Sequence, residues 1–89
     1  MDKDRMYLIL GRKIVFKKIK KANKYSDYTV VFPSLFRIFR KNLNITLSIF
    51  KQILKDKEFF ESLGFDFYIV KGLTIKDTYI IIKWDKKEE

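Results

Sequence analysis

The sequence predicts a small α+β domain, a helical core closed by a C-terminal β-hairpin. Three observations predict it. Residues 46–63 place apolar side chains at helical spacing, with Ser48, Lys51, Gln52 and Lys55 on one face and Leu47, Phe50, Ile53 and Leu54 elsewhere on the wheel. Residues 65–71 and 77–84 instead alternate, so that Phe65, Phe67 and Ile69 oppose Asp66, Tyr68 and Val70, while Ile80, Ile82 and Trp84 oppose Tyr79 and Ile81. Residues 72–76, which begin with Gly72, are short enough to close these strands into an antiparallel hairpin. A chain of 89 residues has room for one core, expected to bury roughly 60% of the surface its unfolded chain exposes. The expected organisation is a single domain over residues 1–84 and a charged, flexible tail over residues 85–89.

Before that framework the signals are more mixed. Residues 1–5 are charged and expected to fray. Met6 to Leu10 is an apolar run of strand-like content, stopped by Gly11. Residues 12–25 read as a helix if Val15, Ile19 and Ala22 form the buried stripe, with Phe16 beside it and Lys13, Lys17, Lys20, Lys21 and Lys24 covering the rest. They read as a strand if Ile14 and Phe16 alternate with Val15, Lys17 and Ile19, and Gly11-Arg12 turns a hairpin onto the preceding run. The helix is favoured because five lysines and an alanine are poor strand material. Residues 23–27 are turn-like, and residues 28–32 are β-branched and aromatic enough for a short strand.

Pro33 suits the first turn of a helix over residues 33–41, since its missing N–H has no helical partner to lose. Leu35, Phe36, Ile38 and Phe39 supply the buried side of that helix, leaving Arg37, Arg40 and Lys41 exposed. Residues 42–45 are expected to turn, with Thr46 capping the next helix. After Asp56 the apolar phase shifts, which predicts a kink or a separate final turn near Asp56 and Lys57, and Gly64 is a natural stop.

Composition removes whole classes of chemistry. With no Cys and no His, disulfides, thiolates, imidazole bases and Cys/His zinc sites are excluded. A metal-dependent nuclease needs only carboxylates, and Asp66, Asp77 and Glu61 are the candidates, with Lys71 or Lys83 as the cation. Asp66 and Asp77 each start one strand of an antiparallel pair, so they should stand a strand length apart, whereas a two-metal site needs ligands converging on ions roughly 4 Å apart. We therefore expect no enzyme, no cofactor, no metal and no small-molecule substrate. No apolar run reaches the roughly 20 residues that span a bilayer, and the N-terminus lacks a signal-peptide pattern, so a soluble, intracellular protein with no membrane partner is expected.

Twenty Lys and Arg stand against eleven Asp and Glu, a formal charge of +9, which points to a polyanionic partner. The order helix, short strand, helix, turn, helix, strand, loop, strand over residues 12–84 resembles the winged helix-turn-helix superfamily. Residues 33–41 would be the supporting helix, residues 46–63 the recognition helix and residues 72–76 the wing. The resemblance implies binding of double-stranded DNA through the major groove, in transcriptional control and as a homodimer. It places Ser48, Lys51, Gln52 and Lys55 at base edges, where Gln can pair with adenine and Lys can donate to guanine. Lys71 and Lys76 at the wing, and Arg37, Arg40 and Lys41 on the supporting helix, would meet phosphate and set register.

Two other readings compete. Aromatic content of 17% suits a small protein-interaction module, of the kind a virus or plasmid encodes to dock on a host factor. A basic sheet carrying Tyr68 and Tyr79 could instead stack the bases of RNA or a single strand, although Tyr25, Tyr28, Tyr68 and Tyr79 are expected in the core or at its rim.

Overall fold

The computed structural model describes residues 2–33 and 43–85, an α+β arrangement of three helices and a three-stranded antiparallel sheet. Helix α1 (Lys3–Ala22) is followed by strand β1 (Tyr28–Val31), helices α2 (Leu43–Leu54) and α3 (Lys57–Ser62), then strands β2 (Asp66–Val70) and β3 (Tyr79–Lys83). The predicted helix over 33–41, with Arg37, Arg40 and Lys41, lies almost wholly outside the described residues.

The N-terminal expectation is corrected. Met6 to Leu10 form no strand, and Gly11 stops nothing: both belong to α1, which also takes in Lys3 to Arg5 and ends three residues earlier than predicted. Asp2 caps the helix through Oδ1, which accepts from the Asp4 amide at 3.1 Å. Gly11 is a contact residue, since a Cβ there would lie 2.7 Å from Ile53 Cγ1. The missing side chain lets α1 and α2 approach closely, and the packing outweighs the helix penalty of about 1 kcal/mol for glycine. Val15 and Ile19 continue that buried stripe, in the helical phase rather than the strand phase.

Residues 43–45 are also corrected, from a turn to the first turn of α2, which leaves Thr46 buried inside the helix rather than capping it. Ile49, Phe50 and Ile53 form the core side of α2. The helix predicted over 46–63 divides at Lys55 and Asp56, where the Asp56 amide donates to Ile53 O at 3.0 Å in the tighter i to i+3 manner. The break sits where the apolar phase shifts. Asp56 precedes α3 but makes no cap with its side chain, because both carboxylate oxygens are held by Arg12.

Helix α3 ends in a Schellman motif. Gly64 takes φ +95°, its amide donates to Glu61 O at 3.0 Å, and the Phe65 amide reaches back to Phe60 O at 3.1 Å. That turn also sets the Phe65 and Phe60 rings edge to face at 6.3 Å, within a cluster that includes Phe16, Phe59, Phe67 and Trp84.

The sheet has the order β1-β3-β2. Tyr28 and Asp66 both pair with Lys83, and Val30 and Tyr68 both pair with Ile81. Thr29, Val31, Phe67, Ile80 and Ile82 are buried on the inner face, joining the helical residues in one core. On the edge strand β1, Lys18 Nζ donates to Val30 O at 2.9 Å. A charged side chain thus ties α1 to the sheet and blunts an edge.

Candidate nucleic-acid interface

Helix α2 presents its polar side outward because its apolar side is committed. At about 100° per residue, Lys51 and Lys55 each lie about 160° around the helix from Ile53. Lys51 and Lys55 are exposed, and Ser48 and Gln52 are partly exposed. Ser48 Oγ donates to Asn44 O at 2.8 Å, which spends its proton locally and leaves lone pairs as acceptors. Ser48, Lys51 and Gln52 are therefore together on one helix, with Lys51 in its last turn, and Lys55 follows just past its end, its amide donating to Lys51 O at 3.2 Å.

Lys71 and Lys76 are both exposed, on the loop between β2 and β3. That loop contains a 3-10 turn, Ile75–Asp77, rather than an open link. Thr78 is buried beneath it: its hydroxyl accepts from the Gly72 amide at 3.2 Å and donates to Thr74 O at 3.0 Å. Thr74 Oγ1 in turn donates to Asp77 Oδ2 at 3.2 Å. Within this loop Leu73, between the two lysines in sequence, is 100% exposed. An apolar residue so placed has no folded-state role.

The lysines that cover the polar side of α1 form a second cationic surface. Lys13, Lys17, Lys20 and Lys21 fall in a sector of about 100° on α1, on the side away from Gly11, Val15 and Ile19, with Lys24 in the turn beyond. All five are exposed. From Arg5 to Ser26 there is no acidic residue. Lys13 with Lys17, and Lys17 with Lys21, are like charges four apart, each unfavourable by a few tenths of a kcal/mol. The helix dipole favours Lys20 and Lys21 in the last turn but leaves Lys13 and Lys17 unexplained. Among the described residues, Arg12 with Asp56 is the only ion pair.

Two other cations of α1, Arg12 and Lys18, are used internally. Arg12 Nε and an η-nitrogen donate to the Asp56 carboxylate at 2.8 and 2.9 Å, and this hydrogen bonding, with the carboxylate's charge, raises the guanidinium pKa against the desolvation that lowers it. The same guanidinium lies 3.6 Å over the Phe59 ring. Burial pushes the Lys18 ammonium below its ordinary value, and Lys21 adds to the effect.

The chain matches no family model, no curated protein and no solved structure. Its site must therefore be argued from its own geometry.

The outer face of the sheet departs from expectation. Tyr28, Tyr68 and Tyr79 are exposed there, beside Val30, Val70 and Ile81, and Tyr25 is exposed after α1. None of the four is a core residue. Alternation separated Tyr68 from Phe67 and Ile69, and Tyr79 from Ile80 and Ile82; that the two tyrosines share a face, and that the helices cover the other, is tertiary information. Asp66 pairs with Lys83, whereas Asp77 precedes Tyr79, which pairs with Val70. The two carboxylates are thus at opposite ends of the hairpin, and among the described residues no three carboxylates converge. No described helix is long and apolar enough to cross a membrane.

Proposed function

We propose that the protein binds double-stranded DNA as a winged helix-turn-helix regulator, with α2 entering the major groove and the β2-β3 loop lying on the backbone. One observation carries the reading: Ser48, Lys51 and Gln52 lie on the solvent side of a helix whose opposite side is core, with Lys55 exposed in the turn just past its end. Lysine and glutamine there are donors suited to base edges, and serine supplies an acceptor. Arg37, Arg40 and Lys41 precede α2 in the chain and would add phosphate contacts, as would Lys71 and Lys76. A homodimer would double this small footprint, which suits a transcriptional regulator.

The strand order β1-β3-β2, with the hairpin after the helices, is compatible with that architecture. Helix α3, six residues between α2 and the hairpin, is an addition to the simplest version of it. Groove reading is therefore assigned to α2, which is twice as long.

A second reading has its own support. Three exposed tyrosines on the open face of one sheet offer ring surfaces to unpaired bases, each stacking contact worth about 1–3 kcal/mol. Titration of labelled duplex, single-stranded DNA and RNA at two salt concentrations separates the two. Preference for duplex, with log K falling steeply against log salt, is expected. Preference for single strands would transfer the function to the sheet, and no binding to any at low salt would leave the protein-interaction alternative.

A further inference from the structure

Two cationic surfaces on this molecule point in different directions. Gly11 of α1 meets Ile49 and Ile53 of α2, so the line from one helix to the other passes through these residues. Lys13 and Lys20 lie about 160° and 180° around α1 from Gly11, and Lys51 and Lys55 about 160° around α2 from Ile53. Lys17 lies about 120° from Gly11, so Lys13, Lys17 and Lys20 emerge on the side of the helix pair opposite to Lys51 and Lys55, with Lys21 on the flank at about 80°.

The α1 surface has the features of a polyanion site rather than of a merely soluble one. A solvated helix gains by mixing signs, yet here the acids stop at Asp4 and resume at Asp27. Lys13 to Lys21 extends about 12 Å along the axis at 1.5 Å per residue, long enough to meet successive phosphates. The repulsion stored among these lysines is released when phosphates replace their counterions.

We infer that the lysine ridge of α1 is a second binding surface for the nucleic-acid backbone, and that one molecule thereby joins two duplex segments. Duplex DNA is stiff, with a persistence length of about 50 nm, so a segment lying along α2 does not fold back around the helix pair to reach the ridge. The second surface must take another segment. It reads no sequence, since lysines of one face on phosphates carry no base information. The joining activity rests on the α2 reading, whereas the ridge as a backbone site does not.

The experiment uses the full chain, a bead-bound duplex and a free labelled duplex, with protein limiting. Wild-type protein should carry label to the beads. Lys13→Gln, Lys17→Gln and Lys20→Gln together should abolish that transfer while single-duplex binding through α2 persists; with Lys51→Gln and Lys55→Gln already in place, so that binding runs through the ridge, the same three changes should reduce the salt slope by about 2.7, or about 0.9 per lysine. Replacement of the same three by Arg should restore transfer. These positions are exposed, and an unchanged melting temperature verifies folding. Transfer and slope both unaffected by the Gln variant would overturn the inference, because a dimer with one surface per subunit bridges without the ridge. Single-duplex binding by the wild type with no transfer overturns the joining activity and leaves the α2 reading standing. Binding that responds to the ridge but not to Lys51→Gln with Lys55→Gln removes α2, and joining with it, while keeping the ridge.

Discussion

Arg12 grips Asp56 across 44 residues of chain through two charge-assisted hydrogen bonds, with the arginine side chain 33% exposed and the carboxylate 8% exposed. The pair fixes α1 to the junction between α2 and α3, and the inequality of burial makes its two halves unequal in consequence.

Arg12→Met should therefore destabilise more than Asp56→Asn. The first leaves a buried carboxylate without its partner, a loss of about 3 kcal/mol; the second leaves a guanidinium that can hydrate while staying over Phe59, with a loss of about 1–2 kcal/mol. Urea unfolding of both variants and of the double variant checks the order, and equal losses would contradict it.

Gly11→Ala improves intrinsic helix propensity by about 1 kcal/mol yet should lower the melting temperature, because the new methyl would collide with Ile53. Overpacking of about 1–3 kcal/mol exceeds the gain. A calorimetric scan showing a higher melting temperature would mean that the α1-α2 contact is looser than described.

The lowered pKa of Lys18 has a definite sign for stability. The unfolded chain holds that proton more tightly, so the cost of burying the charge is present at neutral pH. It is relieved as pH rises through the folded value towards the ordinary lysine value. The stability difference between wild type and Lys18→Met should accordingly shift in favour of wild type over that alkaline window. Measuring the difference cancels the tyrosines and other lysines that titrate there, and a constant difference would rule the burial out.

Lys51→Glu with Lys55→Glu should weaken duplex binding at least tenfold without lowering the melting temperature, since among the described residues neither exposed side chain makes a hydrogen bond or ion pair. Fluorescence anisotropy alongside thermal unfolding reads both; unaltered affinity would take α2 out of the interface.

Lys76→Ala should weaken binding about equally across DNA sequences and reduce the salt slope by about 1. A change in base preference would instead assign the β2-β3 loop a part in readout.

Much of the framework was legible because it is written in local period. The alternation in residues 65–70 and 79–84 identified the hairpin and which residues share a face, and the phase shift after Asp56 marked the break between α2 and α3. Gly64 announced its own positive φ. The failures were at residues 6–11 and 43–45, where short apolar runs fit either period and a glycine or asparagine suggests a break. Gly11 misleads locally because its reason is Ile53, 42 positions away.

By itself the sequence determined the periods of the helices and strands, the large positive charge, the absence of thiol and imidazole chemistry, and the lysines of α1 lying away from its apolar stripe. Those properties belong to neighbours along the chain. Which face of the sheet is open to solvent, that Asp56 answers Arg12 instead of capping α3, and that the lysines of α1 and α2 point apart were decided only in the folded molecule. Each depends on distant segments competing to bury the same surface, and a one-dimensional pattern does not record which of them wins.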